Sequence, residues 1–249
     1  MGLWEKGMEL LYPSNIYCMY CGSIIDSSRP YALCDHCAKA FHWTEGKTCE
    51  KCGKILSADY RHSLCYDCRE LDHAFDKGYT CVQYGLYERA LLMDYKYNGK
   101  GYIGRKLGDI LYDRMMQEEE EPDFIVPVPM HRKKEQKRGY NQAAVMARQL
   151  AGRWGIPYVP KLLERVKKTA PMRGLGAFER YDNLRGAIAV SEKWADRILG
   201  KRFLLVDDIY TTGSTMDACS EALREKGADR ICVLSFACGA NIPPKKEFE

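Results

Sequence analysis

The sequence lacks any run of about 18 apolar residues, so no ordinary membrane-spanning helix is expected. Its opening, "MGLWEKGMELLYPSN", lacks the apolar segment and small-residue cleavage site of a secretory signal, and Lys6 stands where a myristoylation motif has Ser or Thr. A cytoplasmic location is the expectation. A strong excess of one charge is also missing: 38 Lys and Arg against 34 Asp and Glu leave +4 at pH 7, so composition alone argues for neither nucleic acid nor acidic membranes. A Walker A loop is absent too, because "GKT" at Gly46–Thr48 has no upstream glycine of the motif. "GKGYIG", Gly99–Gly104, follows a helical pattern rather than a strand, which argues against a dinucleotide fingerprint.

What is present is an apolar fraction of 46% over 249 residues, enough for a real core, and twelve cysteines. In a reducing compartment those cysteines ask for a reason other than disulfides. Cys18, Cys21, Cys34 and Cys37 follow C-x2-C-x12-C-x2-C, and Cys49, Cys52, Cys65 and Cys68 repeat it 31 residues on, with Gly22, Ile24 and Leu33 matched by Gly53, Ile55 and Leu64. A C-x2-C pair folds into a knuckle that brings two thiolates to one ion, and two knuckles complete a tetrahedral sulfur shell. The simplest reading is two successive structural Zn2+ sites; an interleaved pairing of Cys18 and Cys21 with Cys49 and Cys52 is the alternative. Little apolar sequence lies between the cysteines, so zinc would supply the folding free energy, on the order of 10 kcal/mol per site. His36, His42, His62 and His73 read as surface residues, since each site already has four cysteines. Basic and acidic residues nearly balance in this region, which favours docking or scaffolding at least as much as phosphate binding.

After Asp76 the pattern alternates strands and helices. "YTCVQYG", "FIVPVP", "AIAV", "FLLVDD" and "RICVLSFA" read as strands, and Tyr87–Tyr97, Tyr102–Gln117, Gly139–Trp154 and Ser214–Lys226 as helices. This predicts an α/β fold with a largely parallel sheet covered on both faces, whose ligands sit at the carboxyl ends of the strands. The expected organisation is a double zinc-ribbon domain over 1–75 and a sheet domain over 76–249. The acidic run Glu118–Glu121 reads as a solvated helix end, and Cys81, Cys219, Cys232 and Cys238 as core thiols.

The most informative stretch is "FLLVDDIYTTGST", Phe203–Thr215. Successive strand side chains point to opposite faces, so of Asp207 and Asp208 one can face a ligand crevice while the other meets a metal or a cationic neighbour. Paired acids at a strand end suit ribose hydroxyls or Mg2+. Thr211, Thr212, Gly213, Ser214 and Thr215 then open a helix, where backbone N–H groups, the dipole and hydroxyls together describe a phosphate cradle. A plain Ser/Thr-capped helix after an acidic strand end and a Walker B strand are the competing readings.

The stretch resembles the 5-phosphoribosyl 1-diphosphate (PRPP) motif of type I phosphoribosyltransferases. The wider chain resembles the ComF family, competence protein F and GntX-like proteins associated with DNA uptake. The likeness rests on the "FIVPVP" strand end, Arg138–Gln142 ("RGYNQ"), "YKYNGKG" around Lys96, and "TAPMRGLGAFERYDNLRGA" with Arg180 and Asn183 as a hood. Met172 departs from the glutamine of many members.

The resemblance implies a type I phosphoribosyltransferase-like parallel sheet flanked by helices, preceded by the small double zinc ribbon. It implies Asp207 and Asp208 on the ribose hydroxyls and Mg2+, Thr211–Thr215 on the 5-phosphate, and the basic loop after Val128 on pyrophosphate, with Arg132, Lys133, Lys134, Lys137 and Arg138 as candidates. The expected activity is Mg2+-dependent pentosyl transfer from PRPP with release of pyrophosphate. The alternative is a non-catalytic accessory protein that senses a phosphoribosyl ligand and binds single-stranded DNA or proteins of the uptake machinery, with Lys137, Arg138 and Tyr140 on the strand.

Overall fold

The computed structural model describes residues 15–97, 100–167, 183–184 and 186–243. In the cysteine-rich part, helices α1 (Asp35–Ala40) and α2 (Tyr66–Glu70) each begin one residue after the third cysteine of their set. The sequence repeat is a structural repeat. Gly22 and Gly53 both turn at φ +74°, the bridge Tyr17–Ile24 recurs as Thr48–Ile55, and the 2.8 Å bond from Cys18 N to Ser23 O recurs from Cys49 N to Lys54 O.

There follow β1 (Lys77–Gln83), α3 (Leu86–Tyr97), α4 (Ile103–Met115), β2 (Phe124–Pro127), α5 (Arg132–Arg138) and α6 (Gln142–Trp154). The described chain closes with β3 (Leu163–Arg165), β4 (Ile188–Val190), β5 (Arg202–Tyr210), α7 (Ser214–Arg224) and β6 (Arg230–Cys238). Strands β1, β6, β5 and β2, in that order, form a parallel four-stranded sheet, and β3 and β4 form a separate antiparallel pair. The expected parallel α/β sheet is therefore present, with "AIAV" outside it in the short pair. Among the described residues no helix is long and apolar enough to cross a membrane.

Each face of the sheet has its own core, and the period of two along β5 divides the strand between them. Leu204 and Val206 pack with Leu91, Tyr95, Leu107 and Met146 of α3, α4 and α6. Phe203 and Leu205 pack with Met216, Cys219 and Leu223 of α7 and with Leu163 and Ile188 of the short pair. The two ribbons divide in the same way, Met19, Leu33 and Phe41 of the first joining one core and Leu56 and Phe75 the other. Between them they cover the open edge of β1: Gly78 N donates to Lys51 O, Gln83 N to His42 O, and Thr44 N to the Cys81 carbonyl. Those bonds occupy backbone groups that an edge strand otherwise presents to other chains. Contact is closest at Gly53 and Gly78, where a Cβ on either would lie under 3 Å from the other segment's backbone.

Three expectations need correction. The basic segment after β2 is helical: it has no apolar stripe, but His131 accepts from Lys133 N at its start and Gly139, at φ +84°, ends it in the left-handed conformation. The acidic run is not wholly solvated, because Glu120 is bound by Arg230 at 2.7 and 2.9 Å and accepts from the Tyr79 hydroxyl at 2.6 Å. His36, His42 and His62 are exposed, but His73 is buried. The four core thiols Cys81, Cys219, Cys232 and Cys238 are buried as expected. Met172 and Arg180 of the hood, and Asn98 and Gly99 of "NGKG", lie outside the described residues.

Candidate functional site

The cysteines group as two successive sets, Cys18, Cys21, Cys34 and Cys37, then Cys49, Cys52, Cys65 and Cys68, with the sulfurs of each set all within 4.8 Å of one another. The interleaved pairing is thereby excluded. Thiolates ~2.3 Å from one tetrahedral ion stand about 3.8 Å apart. The Cys21–Cys34 and Cys52–Cys65 sulfurs, at 3.8 and 3.6 Å, fit that spacing. Backbone N–H groups of Cys34 and Cys65 point at the sulfurs of Cys18 and Cys49, at 3.4 and 3.2 Å, and so favour the thiolate that a metal needs. Both sets are closed four-sulfur sites for structural Zn2+. They differ in depth: Cys21 is exposed and Cys34 half-buried, whereas all four cysteines of the second set are buried.

At the carboxyl end of the central strand β5, alternation sends Asp208 to the α3 face and Asp207 to the α7 face. Lys96, in the last turn of α3, places Nζ 2.6 Å from Asp208 Oδ2, both side chains about 15% exposed. Asp207 Oδ1 accepts from the Asp208 N–H at 2.8 Å. Burial, and then the Asp208 charge beside it, push Asp207 up to about 7, against the opposing pull of Lys96 and Arg165. Arg165, on β3, is itself lowered by burial, with Asp207 among the charges that counter the effect.

The next residues turn at Gly213, whose φ of +86° makes it the left-handed cap of α7. Thr212 Oγ1 and Ser214 Oγ lie 3.0 Å apart at that helix start. A Cβ on Gly213 would lie 2.6 Å from the Tyr210 hydroxyl and 2.7 Å from His73 Cε1, so the turn rests on those two rings.

The third element approaches from β2, which runs parallel beside β5 with Pro127 opposite Val206. Val128 N donates to Val206 O, and the Val128 carbonyl receives Asn141 Nδ2 at 2.9 Å, tying the strand end to the cap of α6. Helix α5 between them exposes Arg132, Lys133, Lys134 and Lys137. Arg138 is anchored, donating to Gln142 Oε1 at 2.7 Å and to the Tyr97 hydroxyl at 3.1 Å, with its guanidinium 4.9 Å from the Tyr97 ring centre. The acidic pair near the end of β5, and the glycine turn and basic segment that follow β5 and β2, thus gather at the carboxyl ends of neighbouring parallel strands, where open α/β sheets bind ligands. Arg165 and His73 were not foreseen as part of this neighbourhood. No periodic signal marks either one, since Arg165 sits in a three-residue strand and His73 in a short connection.

Residues 7–69 match the double zinc ribbon domain family, and residues 100–246 match the phosphoribosyl transferase domain family. The chain is 35% identical to competence protein F of Haemophilus influenzae over 154 residues, 59% of this chain and 66% of that protein. It is 28% identical to DNA utilization protein YhgH of Escherichia coli K12 over 125 residues, 50% and 53% of the two chains, and 28% identical to competence protein ComFC of Bacillus subtilis over 103 residues, 41% and 39%. The alignments thus span from about two fifths to about two thirds of these relatives' lengths. Among solved structures, glutamine PRPP amidotransferase from B. subtilis is similar at 21% identity and a TM-score of 0.39, over 57% of this chain and 30% of that one. Purine phosphoribosyltransferase from Pyrococcus horikoshii is similar at 19% and 0.35, over 56% and 77%.

Proposed function

The chain belongs to the phosphoribosyl transferase domain family, and from that premise we propose that the end of β5 and the turn after it bind PRPP for Mg2+-dependent phosphoribosyl transfer in a protein tied to competence and DNA uptake. One observation carries the reading. Two adjacent carboxylates stand on opposite faces of a central parallel strand near its carboxyl end at Tyr210, and the chain beyond that end reaches a left-handed turn at Gly213 that opens a helix. Carboxylates beside helix-start N–H groups and hydroxyls match a sugar phosphate, with vicinal hydroxyls at one end and an anion at the other. We read the chain as a ribbon unit over 1–75 and a sheet unit over 76–249, the boundary falling between α2 and β1.

In this reading Asp207 and Asp208 accept hydrogen bonds from the ribose hydroxyls, and Thr211–Thr215 hold the 5-phosphate. Arg132, Lys133, Lys134, Lys137 and Arg138 are the cations available to the pyrophosphate. A nucleophile forms the new bond at the anomeric carbon as the bond to the pyrophosphate oxygen breaks, and the electron pair leaves with pyrophosphate. The protein's share is positioning, and stabilisation of charge as it develops on the leaving group. Adjacent carboxylate oxygens suit a hard divalent cation, and the raised proton affinity of Asp207 is what a cation would relieve; Mg2+, when bound, supplies neutralisation of the pyrophosphate charge.

Phosphorus NMR of PRPP with Mg2+, across a panel of bases, amines and single-stranded DNA, tests this directly. Pyrophosphate should appear with one class of acceptor, and the Asp207→Asn, Asp208→Asn double variant should lose PRPP binding. Unchanged binding in that variant would remove both acids from the site.

The exposed cationic helix α5, with Arg138 in its last turn against the Tyr97 ring, favours a second reading: single-stranded DNA bound by charge and stacking, with the phosphoribosyl ligand sensed rather than turned over. The names of the relatives, competence protein F and DNA utilization protein, are consistent with it. Strand binding that falls steeply with salt, with no pyrophosphate released under any acceptor, would select this reading over the first.

A further inference from the structure

His73 lies in the short connection between the second ribbon and β1, with its side chain wholly buried. Nδ1 is 2.8 Å from Asp217 Oδ2 on α7, and Nε2 is 3.3 Å from the Tyr210 hydroxyl at the end of β5. An ionised carboxylate only accepts, so Nδ1–H donates to Asp217, and Nε2 is left to accept the Tyr210 O–H. The other Asp217 oxygen receives Ala74 N at 3.0 Å. One face of the imidazole stacks on Phe75, ring centres 4.9 Å apart and planes 18° from parallel, and its Cε1 edge fills the space that a Cβ on Gly213 would need.

We propose that His73 is the positioning residue of the phosphate turn: it fixes Gly213 from beneath and makes the second ribbon a buttress of the ligand site. The proposal deepens, and rests on, the phosphoribosyl reading of Thr211–Thr215. A buried polar trio is costly unless every member is satisfied, and an apolar side chain would fill the same space without that cost. What the imidazole adds is direction. Its two nitrogens lock β5 to α7 on either side of the turn, and Asp217 lies in the first turn of the helix whose N–H groups face the phosphate. The ribbon side of the link is equally built. Lys54, buried and ion-paired with Asp67, places Nζ 5.8 Å from the centre of the Tyr210 ring. Tyr210 shares its core with Cys52, Cys65 and Cys68 of the second set. Ordering the turn before ligand arrives lowers the entropic cost of binding, and this is how a group that never touches ligand affects affinity.

The test uses the full-length, zinc-loaded protein. Amide hydrogen exchange is measured without ligand in wild type, His73→Ala and His73→Asn, whose amide retains the Nδ1-like donor to Asp217. Exchange at Asp217, whose N–H donates to Gly213 O across the turn, should rise about tenfold in His73→Ala and less in His73→Asn, with β6 and the cysteine-rich segments unchanged. In parallel the dissociation constant for PRPP should rise about tenfold in His73→Ala, while that for pyrophosphate alone stays the same. Unchanged exchange at Asp217, or a uniform rise along the whole chain, would overturn the positioning role. If His73→Ala does not fold, Tyr210→Phe, which removes only the hydroxyl, is read by the same criteria. Failure of the wild-type protein to bind PRPP would sink the proposed function, and the ligand-free exchange would still decide the role of His73.

Discussion

Lys96 Nζ lies 2.6 Å from Asp208 Oδ2, joining the last turn of α3 to the end of the central strand. With both side chains about 15% exposed, the pair is shielded enough to count. Lys96→Met keeps most of the side-chain volume and removes the charge, leaving two neighbouring carboxylates with less compensation. It should cost about 1–3 kcal/mol at pH 8 and less at pH 5, where Asp207 holds its proton and one of the two charges is gone. Urea unfolding at both pH values checks this; an equal loss at both would show that Lys96 acts by packing alone.

Asp207 makes a prediction of definite sign. Its folded-state value is about 7 against an ordinary 3.8, so between those limits the native protein holds a proton that the unfolded chain has released. Stability contributed by the protonated group is full below about pH 4 and is lost as pH rises towards 7, on the order of 2–4 kcal/mol in all. Asp207→Asn should flatten that decline in ligand-free protein. A cation or ribose bound through the carboxylate calls for the ionised form, so PRPP and Mg2+ affinity should rise with pH through the same region. Calorimetric titrations at pH 6, 7 and 8 decide it, and affinity falling over that range would contradict the assignment.

The cysteine spacing and the acidic strand end could both be read in the sequence because each is local: all the residues of a knuckle or of "VDDIYTTG" lie within one short segment. Alternation along β5 likewise foretold that the two acids part to opposite faces. What could not be read is what meets them there. The approach of His73 to Asp217 joins residues 144 apart, and the folding of the edge of β1 onto the ribbons is equally remote. Helix α5 was read as a loop because seven polar residues carry no apolar period, and only its caps, His131 and Gly139, define it. Lys96 was visible only through a family likeness. Its partner depends on which way α3 packs.

Gly213→Ala should be among the most damaging single-methyl changes at the site. The residue adopts φ +86°, which costs a non-glycine residue roughly 1–2 kcal/mol. Beyond that, the new Cβ would meet the Tyr210 hydroxyl at 2.6 Å and His73 Cε1 at 2.7 Å, two rings held by buried partners and unable to give way cheaply. We expect PRPP affinity to fall at least tenfold, about 1.4 kcal/mol, with a lower midpoint of thermal unfolding. Ligand titration with a parallel melting curve measures both. Wild-type affinity in the variant would mean that this turn is not where the phosphate sits.

The two zinc sites should part company under chelation. Cys21 is exposed and Cys34 half-buried in the first, so a chelator can reach a sulfur without any part of the fold opening. All four sulfurs of the second are buried, and its Gly53 turn sits so tightly on Gly78 of β1 that neither could carry a methyl group. Releasing that ion means peeling the ribbon from the sheet edge. Zinc should therefore leave in two phases of equal amplitude, one ion each. The fast phase should leave near-ultraviolet circular dichroism from Tyr210 and the sheet core largely intact, and the slow phase should track its loss. Gly78→Ala, which wedges the two segments apart, should speed only the slow phase. A single phase, or a fast phase that already abolishes the sheet signal, would show that both ribbons are equally bound into the fold.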